Sequence, residues 1–272
     1  MSDIQLHPMQ EKMRYAWRVA AGAVTSGGSQ NFLGARWVPA LLRLTPSRIR
    51  THIALLLLSL SPHYFFTRDR RAEAERNRKS REALVWDLLD PFLDRNTVAL
   101  DYGCGPGYMA AAVARRIRHL EAVDISRGVL ACAQVLNGAA NIIYETPEEA
   151  SRRSEPVDVA YSFAVVQHLT DETFHAVLSL LRRRLRPGGT LLLHFVVLPA
   201  DGYTTEGQWR ADSSLKGRAK LRFALNCFGR GIGDVESLVA EAGFSHVRTE
   251  PLAAKTDAED DISGQHWVVA SG

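Results

Sequence analysis

An aspartate followed by three closely spaced glycines is the part of this chain that points most clearly to chemistry. Asp101 ends an apolar run that begins at Val98, and Gly103, Gly105 and Gly107 follow in a turn before a run of helix-forming residues. Glycine permits backbone conformations closed to other residues and lets a ligand approach the main chain closely. The first turn of the next helix adds unpaired N–H groups. The sequence therefore predicts a cradle for an extended, polar small molecule.

Three kinds of ligand suit such a turn. A dinucleotide site has the spacing Gly-x-Gly-x-x-Gly, whereas the spacing here is Gly-x-Gly-x-Gly. A phosphate-binding loop requires Gly-Lys-Ser/Thr, which is absent. The third ligand is S-adenosylmethionine, which carries an amino acid group, a sulfonium and a ribose but no phosphate. Because a carboxylate attracts an ammonium group and repels a pyrophosphate, Asp101 favours the third ligand.

Acidic and polar residues end the strands that follow. Residues 119–124 are predicted to form a second strand that ends at Asp124. This carboxylate lies about twenty residues beyond the first glycine, where this type of fold places a group that accepts the ribose hydroxyls. A third strand, 141–144, precedes Thr146-Pro-Glu-Glu149, which has the pattern of a capping box at the start of a helix.

Two further predicted strands follow, with a helix between them. Residues 157–163 are predicted to form a fourth strand, and the loop after it contains His168. A helix then runs to Arg186, where Pro187-Gly-Gly189 is expected to stop it. Residues 190–197 follow as a nearly continuous apolar strand, as expected for a strand buried on both faces.

These segments resemble the motifs of the class I S-adenosylmethionine-dependent methyltransferases, in particular the branch that acts on quinones and other small molecules. The turn is similar to that family's Leu-Asp-x-Gly-Cys-Gly-x-Gly, and the loop around His168 is similar to its fourth motif, with Val157 where Phe or Tyr is usual. The resemblance covers roughly residues 95–272. It implies a cofactor site built from Asp101, Gly103, Cys104, Gly105, Gly107, Asp124, Ile125, Glu145, Thr146, Ser162, Phe163 and Tyr64.

The order of the elements predicts the fold. Strands alternate with helical stretches along residues 97–272, and two late strands within 241–250 and 266–270 bring the number to seven. This alternation is typical of an α/β protein with a doubly wound, mostly parallel sheet. The resemblance implies a seven-stranded Rossmann-like sheet preceded by an α-helical N-terminal extension.

Two segments are expected to determine which methyl acceptor the protein binds. Residues 1–96 read as helical, and in the family such an extension covers the cofactor and builds the acceptor pocket. Tyr64 lies there in an aromatic cluster, 63–66, that either packs as core or closes over the methionine end of the cofactor. Residues 199–233 form an unusually long connection, which we interpret as a substrate-lid insertion.

The resemblance implies an enzyme that methylates a small-molecule acceptor. A hydroxyl oxygen is the expected acceptor atom. The alternatives are nitrogen or carbon of a small or lipid-like acceptor, or a cofactor-binding protein with non-methyl chemistry. A hydroxyl acceptor must lose a proton, and His168 is the expected catalytic base because its usual pKa suits neutral pH. Positioning of substrate or cofactor, or a structural role, are its alternatives.

The composition of the chain bears on its expected metal sites, binding partners and cellular location. The chain has 272 residues, 33 Lys and Arg against 30 Asp and Glu, and three cysteines without metal-site or disulfide spacing. Because the cysteines lack such spacing, no metal site is expected. No nucleic-acid partner is expected either, because the basic residues are not interleaved with enough aromatics. Residues 1–60 carry seven Lys and Arg against two Asp and Glu, which suits peripheral contact with an anionic membrane. No secretory signal or membrane span is predicted, so a cytoplasmic location is expected.

Overall fold

The computed structural model shows how these predicted elements are arranged. It describes residues 33–61, 69–197, 206–214, 217, 227–252 and 264–272, together with positions 13, 17, 20 and 24–26.

Seven strands form a single mixed sheet with the order β3-β2-β1-β4-β5-β7-β6. Strand β7 runs antiparallel to both of its neighbours, and the other strands are parallel to one another. The predicted doubly wound, mostly parallel sheet is therefore confirmed. The strands are β1 (Val98–Tyr102), β2 (His119–Val123), β3 (Ile142–Glu145), β4 (Val157–Ser162), β5 (Leu185–Val196), β6 (Ser245–Pro251) and β7 (Gln265–Ser271).

Helices precede and connect the strands of this sheet. Between residues 33 and 97, three helices precede β1: α1 (Trp37–Leu44), α2 (Ser47–Leu58) and α3 (Arg70–Leu84). The last continues into a π-helical turn at Val85–Leu89 and a 3-10 turn at Asp90–Phe92. The later helices are α4 (Tyr108–Ala114), α5 (Arg127–Asn137), α6 (Pro147–Ala150), α7 (Asp171–Arg184), α8 (Glu206–Ala211) and α9 (Ile232–Glu241).

The strand order fixes where a ligand can bind. The chain moves outward from β1 through β2 to β3 and then returns to β4 on the other side of β1. At such a switch point the connections leave β1 and β4 in opposite directions and open a crevice beyond their carboxyl ends. Asp101 and Ser162 lie at those two ends, and both side chains are buried.

The helices before β1 are held on the sheet domain by apolar packing. Buried residues of α1 and α2, including Val38 and Leu58, form one cluster with Val129 and Cys132 of α5. Gly128 permits this close contact, since its N–H donates to the Leu33 carbonyl and a Cβ there would overlap that oxygen. The helical character predicted for the extension is thus seen in the described residues. The domain boundary at residue 96 stays a prediction.

The predicted stop of α7 at Pro187–Gly189 is wrong. The helix ends at Arg184, and β5 already begins at Leu185, which pairs with Val157. The cause is tertiary: Gly188 donates to the carbonyl of Gly272, and Gly272 donates to that of Gly189, so the end of the chain draws the Pro-Gly-Gly segment into the sheet.

None of the helices in the described part of the chain is both long and apolar enough to cross a membrane.

Candidate active site

The turn after β1 has the backbone conformation that its glycines predicted. Gly103, Gly105 and Gly107 all have left-handed φ angles, of 82°, 51° and 81°. The turn is tied to the end of β2, because the Gly103 and Cys104 N–H groups both donate to the Val123 carbonyl. Gly107 then precedes α4 directly. The main chain thus curves around the space beyond the end of β1.

Two of these glycines also allow close approach by other elements. A Cβ on Gly103 would overlap Val165 of the loop after β4, and a Cβ on Gly107 would overlap the Tyr144 hydroxyl. The turn is therefore packed on one side by the loop that carries His168 and on the other by β3. This second constraint on the glycines has no local sequence signal.

Asp101 is the most unusual charged group of the site. Its side chain is 2% exposed, and its Oδ2 has no hydrogen-bond partner among the described residues. Burial raises the pKa of this carboxyl to about 8; the adjacent Tyr161 hydroxyl lowers it, and the Asp124 carboxylate raises it. A cationic ligand group beside Oδ2 would supply the missing partner and favour the charged form.

Asp124 lies where the sequence predicted a ribose-binding carboxylate. Its Oδ2 accepts from the Gly105 N–H at 3.1 Å and its Oδ1 from the Ser126 N–H at 2.9 Å. Burial raises its pKa to about 6, and these two N–H donors oppose the rise. The next side chain, Ile125, is 55% exposed. A carboxylate and an open apolar surface thus lie side by side at the end of β2, which suits a ribose and a base.

The structure separates the Glu145 carboxylate from the turn. Its Oε2 accepts from Arg153 at 2.7 Å, on the side of the sheet where Glu121 and Arg184 also form a buried pair at 2.8 Å. Only the main chain of Glu145 reaches Asp124, whose N–H donates to its carbonyl. Thr146 forms the predicted capping box, donating to Glu149 Oε2 and accepting from the Glu149 N–H.

The end of β4 brings Ser162, Phe163 and a histidine together. Ser162 is buried and donates to the Tyr102 carbonyl at 2.8 Å, which ties β4 to the end of β1. The centroids of the Phe163 and His194 rings lie 4.4 Å apart. The Arg81 guanidinium of α3 lies over the Phe163 ring, 4.8 Å from its centroid. Helix α3 therefore brings a positive charge close to the end of β4.

His194 is not available as a base. Its Nδ1 accepts from the Ala164 N–H at 3.1 Å, which leaves Nε2 to donate to Gln265 Oε1 at 3.0 Å. Burial lowers its pKa to about 4. Both ring nitrogens are thus satisfied and the ring is neutral at pH 7, as expected for a histidine of the core.

His168 lies in a 3-10 turn, Val166–His168, three residues after Val165, whose side chain packs on Gly103. It is partly exposed, and its Nδ1 lies 3.7 Å from Cys227 Sγ. The proposed base is therefore joined to the glycine turn through one short loop. Tyr64, by contrast, lies outside the described residues.

Sequence reasoning missed two residues near the site, Cys227 and Tyr108. Cys227 approaches His168 from 59 positions away, and neither residue has a local signal for this pairing. The Tyr108 hydroxyl, directly after the turn, is buried and has no hydrogen-bond partner among the described residues; burial raises its pKa to about 12. The sequence feature that could have identified Tyr108 as a site residue is its position immediately after Gly107.

Known proteins are similar to this region in sequence and in fold. Residues 99–189 match the family described as "Methyltransferase domain". An uncharacterized methyltransferase of Mycobacterium tuberculosis is 34% identical over 129 residues, which are 46% of this chain and 63% of that protein. The malonyl-(acyl-carrier protein) O-methyltransferase of Serratia marcescens is 32% identical over 93 residues, which are 34% of this chain and 36% of that protein.

A solved structure agrees with the fold. An S-adenosylmethionine-dependent methyltransferase from Mesorhizobium loti superposes with a TM-score of 0.50 at 18% identity, over 69% of this chain and 97% of that one. The matched part of the present chain spans 63% of the length of the mycobacterial relative. Sequence similarity is thus concentrated in the region from β1 to β5, which contains the turn, Asp124 and His168.

Replacement of Asp124 by Asn tests the ribose assignment. We expect Asp124→Asn to weaken binding of S-adenosylhomocysteine about tenfold or more, as for a lost hydrogen bond to a charged group. Isothermal titration calorimetry measures the effect. Glu148→Gln, the same acid-to-amide change at a 70% exposed side chain, serves as the matched control. An unchanged affinity in Asp124→Asn would contradict the assignment.

Proposed function

We propose that this chain is an S-adenosylmethionine-dependent methyltransferase that transfers a methyl group from S-adenosylmethionine to a small-molecule acceptor, with a hydroxyl oxygen as the acceptor atom. The match of residues 99–189 to the methyltransferase-domain family and the mycobacterial relative support this proposal. The observation that carries the proposal is the buried Asp101 Oδ2 beside a glycine turn; this oxygen has no hydrogen-bond partner in the part of the chain that the structure describes. The named O-methyltransferase relative supports the choice of oxygen.

The residues present fit the cofactor. Asp101 would hold its ammonium group, Asp124 its ribose hydroxyls and Ile125 one face of its adenine. Asp124 is charged at pH 7 and Asp101 ionises when a cation lies beside it, so the site suits a cation and disfavours a pyrophosphate. When bound, the cofactor supplies an activated methyl group on a sulfonium, so the protein has only to align the acceptor and to remove its proton.

His168 is the residue we propose for proton removal. His168 is partly exposed, and the loop that contains it follows β4 and packs on the turn through Val165, which supports this role. Histidine is the side-chain type most often used as a general base in enzymes. The acceptor hydroxyl would donate its proton to the ring as its oxygen attacks the methyl carbon.

We further propose that residues 1–96 act as a cap and residues 199–233 as a substrate lid. Two contacts support this assignment. Arg81 of α3 lies over Phe163 at the end of β4, and Cys227, near the end of the proposed lid, contacts His168. Both segments thus reach the loops where an acceptor would bind.

Methyl transfer from labelled S-adenosylmethionine to a panel of phenols, alcohols, amines and carbon acids tests the function. We expect label in a hydroxyl acceptor, and a product heavier by one methylene. Label confined to amine or carbon acceptors would contradict the oxygen assignment. Binding without any transfer or consumption of the cofactor would favour a cofactor-binding protein instead.

The base role of His168 has its own test. We expect His168→Gln to lower kcat by about 10² or more, the usual contribution of a general base, with cofactor affinity unchanged. His175→Gln provides the matched control, since His175 is exposed on α7 and faces away from the buried side of that helix. Near-normal turnover by His168→Gln would remove the base role.

The described part of the extension also supports peripheral contact with an anionic membrane, which we propose as a second property. Residues 33–61 contain four arginines and no acidic residue. Helices α1 and α2 both pack on α5, so their opposite sides face outward, where Trp37, Leu41 and Leu44 are 43%, 40% and 85% exposed. An apolar face with basic residues around it is typical of helices that lie on anionic lipid.

Vesicle sedimentation tests the membrane contact. We expect the protein to sediment with phosphatidylglycerol vesicles and not with phosphatidylcholine vesicles. Leu44→Glu should reduce the bound fraction about fivefold or more, because it adds a repelled charge and removes apolar contact. Ile232→Glu, at a 38% exposed position of α9, is the matched control. Equal sedimentation of wild type with both lipids would contradict the proposal.

A further inference from the structure

The Arg230 guanidinium bonds to the loop of His168 on both sides of that residue. Before His168 in the chain, the Val166 carbonyl accepts from Nη1 at 2.9 Å. After it, the Leu169 carbonyl accepts from Nη2 at 2.6 Å, and Asp171 Oδ1 accepts from Nε at 3.0 Å and from Nη2 at 2.8 Å. All three nitrogens of one side chain are thus engaged with the segment that surrounds His168.

Arg230 is itself fixed in place. Its side chain is 7% exposed, and its main chain forms a parallel bridge with Val197, directly after β5. Two residues earlier, Phe228 is 2% exposed and its N–H donates to the Gln167 carbonyl at 2.6 Å. The loop after β4 is therefore joined to the end of β5 through a buried segment.

The geometry of these bonds requires a guanidinium. Its donors lie in one plane and point in fixed directions, whereas a lysine ammonium is a point charge on a flexible stem. Charge-assisted hydrogen bonds of this kind are stronger than neutral ones. The main chain before and after His168 is thus held in one position, which a general base needs because a displacement of about 1 Å can cost about 10²-fold in rate.

We infer that Arg230 is a positioning residue for His168: its guanidinium fixes the main chain on both sides of His168 and so sets the position of the ring. This inference rests on the proposed role of His168 as the base. Arg230 touches neither cofactor nor reacting atoms in this account, and it acts only through the loop that it holds.

A double-mutant cycle tests whether Arg230 acts through His168. We expect Arg230→Lys, which keeps the charge but loses the planar donors, to lower kcat about tenfold, with the affinity for S-adenosylhomocysteine unchanged. In the His168→Gln background the same change should cost less than about twofold, because residues that act as one unit have non-additive effects. Equal losses in both backgrounds, with His168→Gln itself impaired, would overturn the inference.

Arg182→Lys is the matched control. Arg182 is on α7, and its Nε donates to the Gly243 carbonyl at 2.9 Å, so it also joins two distant segments but does not bond to the loop of His168. We expect kcat of Arg182→Lys to match the wild type. A loss equal to that of Arg230→Lys would overturn the inference, because the effect would then not be specific to this loop.

Hydrogen exchange measures the positioning independently of turnover. The His168 N–H donates to the Val165 carbonyl at 2.8 Å within the loop. We expect amides of residues 163–171 to exchange about tenfold faster or more in Arg230→Lys, as for a lost hydrogen bond to a charged group. Amides of residues 101–107 should exchange as in the wild type. Unchanged exchange in the loop would overturn the inference.

These readouts separate the inference from the proposed function. If exchange in the loop depends on Arg230 but His168→Gln turns over normally, the positioning contact stands and the base role fails. If His168→Gln is inactive but loop exchange and kcat ignore Arg230→Lys, the base role stands and the positioning role fails.

Discussion

A buried carboxylate without a full set of partners governs the chemistry of this site. Removing a charged carboxylate from water is costly unless hydrogen bonds or an opposite charge replace the lost solvation. At Asp101 that replacement is incomplete: Oδ2 has no partner among the described residues, and the pKa rises to about 8. The free protein therefore holds this group largely protonated at pH 7, ready to ionise when a cation arrives. The neighbouring Asp124 strengthens the same preference, because its negative charge disfavours a second one nearby.

The glycine turn joins this cofactor side to the side where an acceptor would bind. Gly103 has no side chain, so Val165 packs directly against it, and His168 follows three residues after Val165. The loop of His168 is in turn bonded to residues 228 and 230, whose chain continues from β5 through the proposed lid. Hydrogen bonds thus connect the chain that follows the proposed lid to the loop of the proposed base.

Much of this arrangement follows from local patterns in the sequence. The glycine spacing, the aspartates that end β1 and β2, and the Thr146 capping box each use residues within a few positions of one another, so a single sequence contains the information. The contacts that escaped prediction join distant segments: Cys227 with His168, Tyr144 with Gly107, and Gly272 with the Pro-Gly-Gly segment that was expected to end a helix. The Glu145 side chain shows the same limit, since its strand was predicted but its partner Arg153 was not.

Proton release on ligand binding tests the central claim about Asp101 most directly. Calorimetry of S-adenosylhomocysteine binding at pH 7, repeated in buffers with different ionisation enthalpies, counts the protons exchanged. If Asp101 is protonated in the free protein and pairs with the ligand's ammonium in the complex, binding releases close to one proton. Asp101→Asn should abolish that release while the variant keeps its thermal unfolding transition. Binding by the wild type with no dependence of its enthalpy on the buffer would contradict the account.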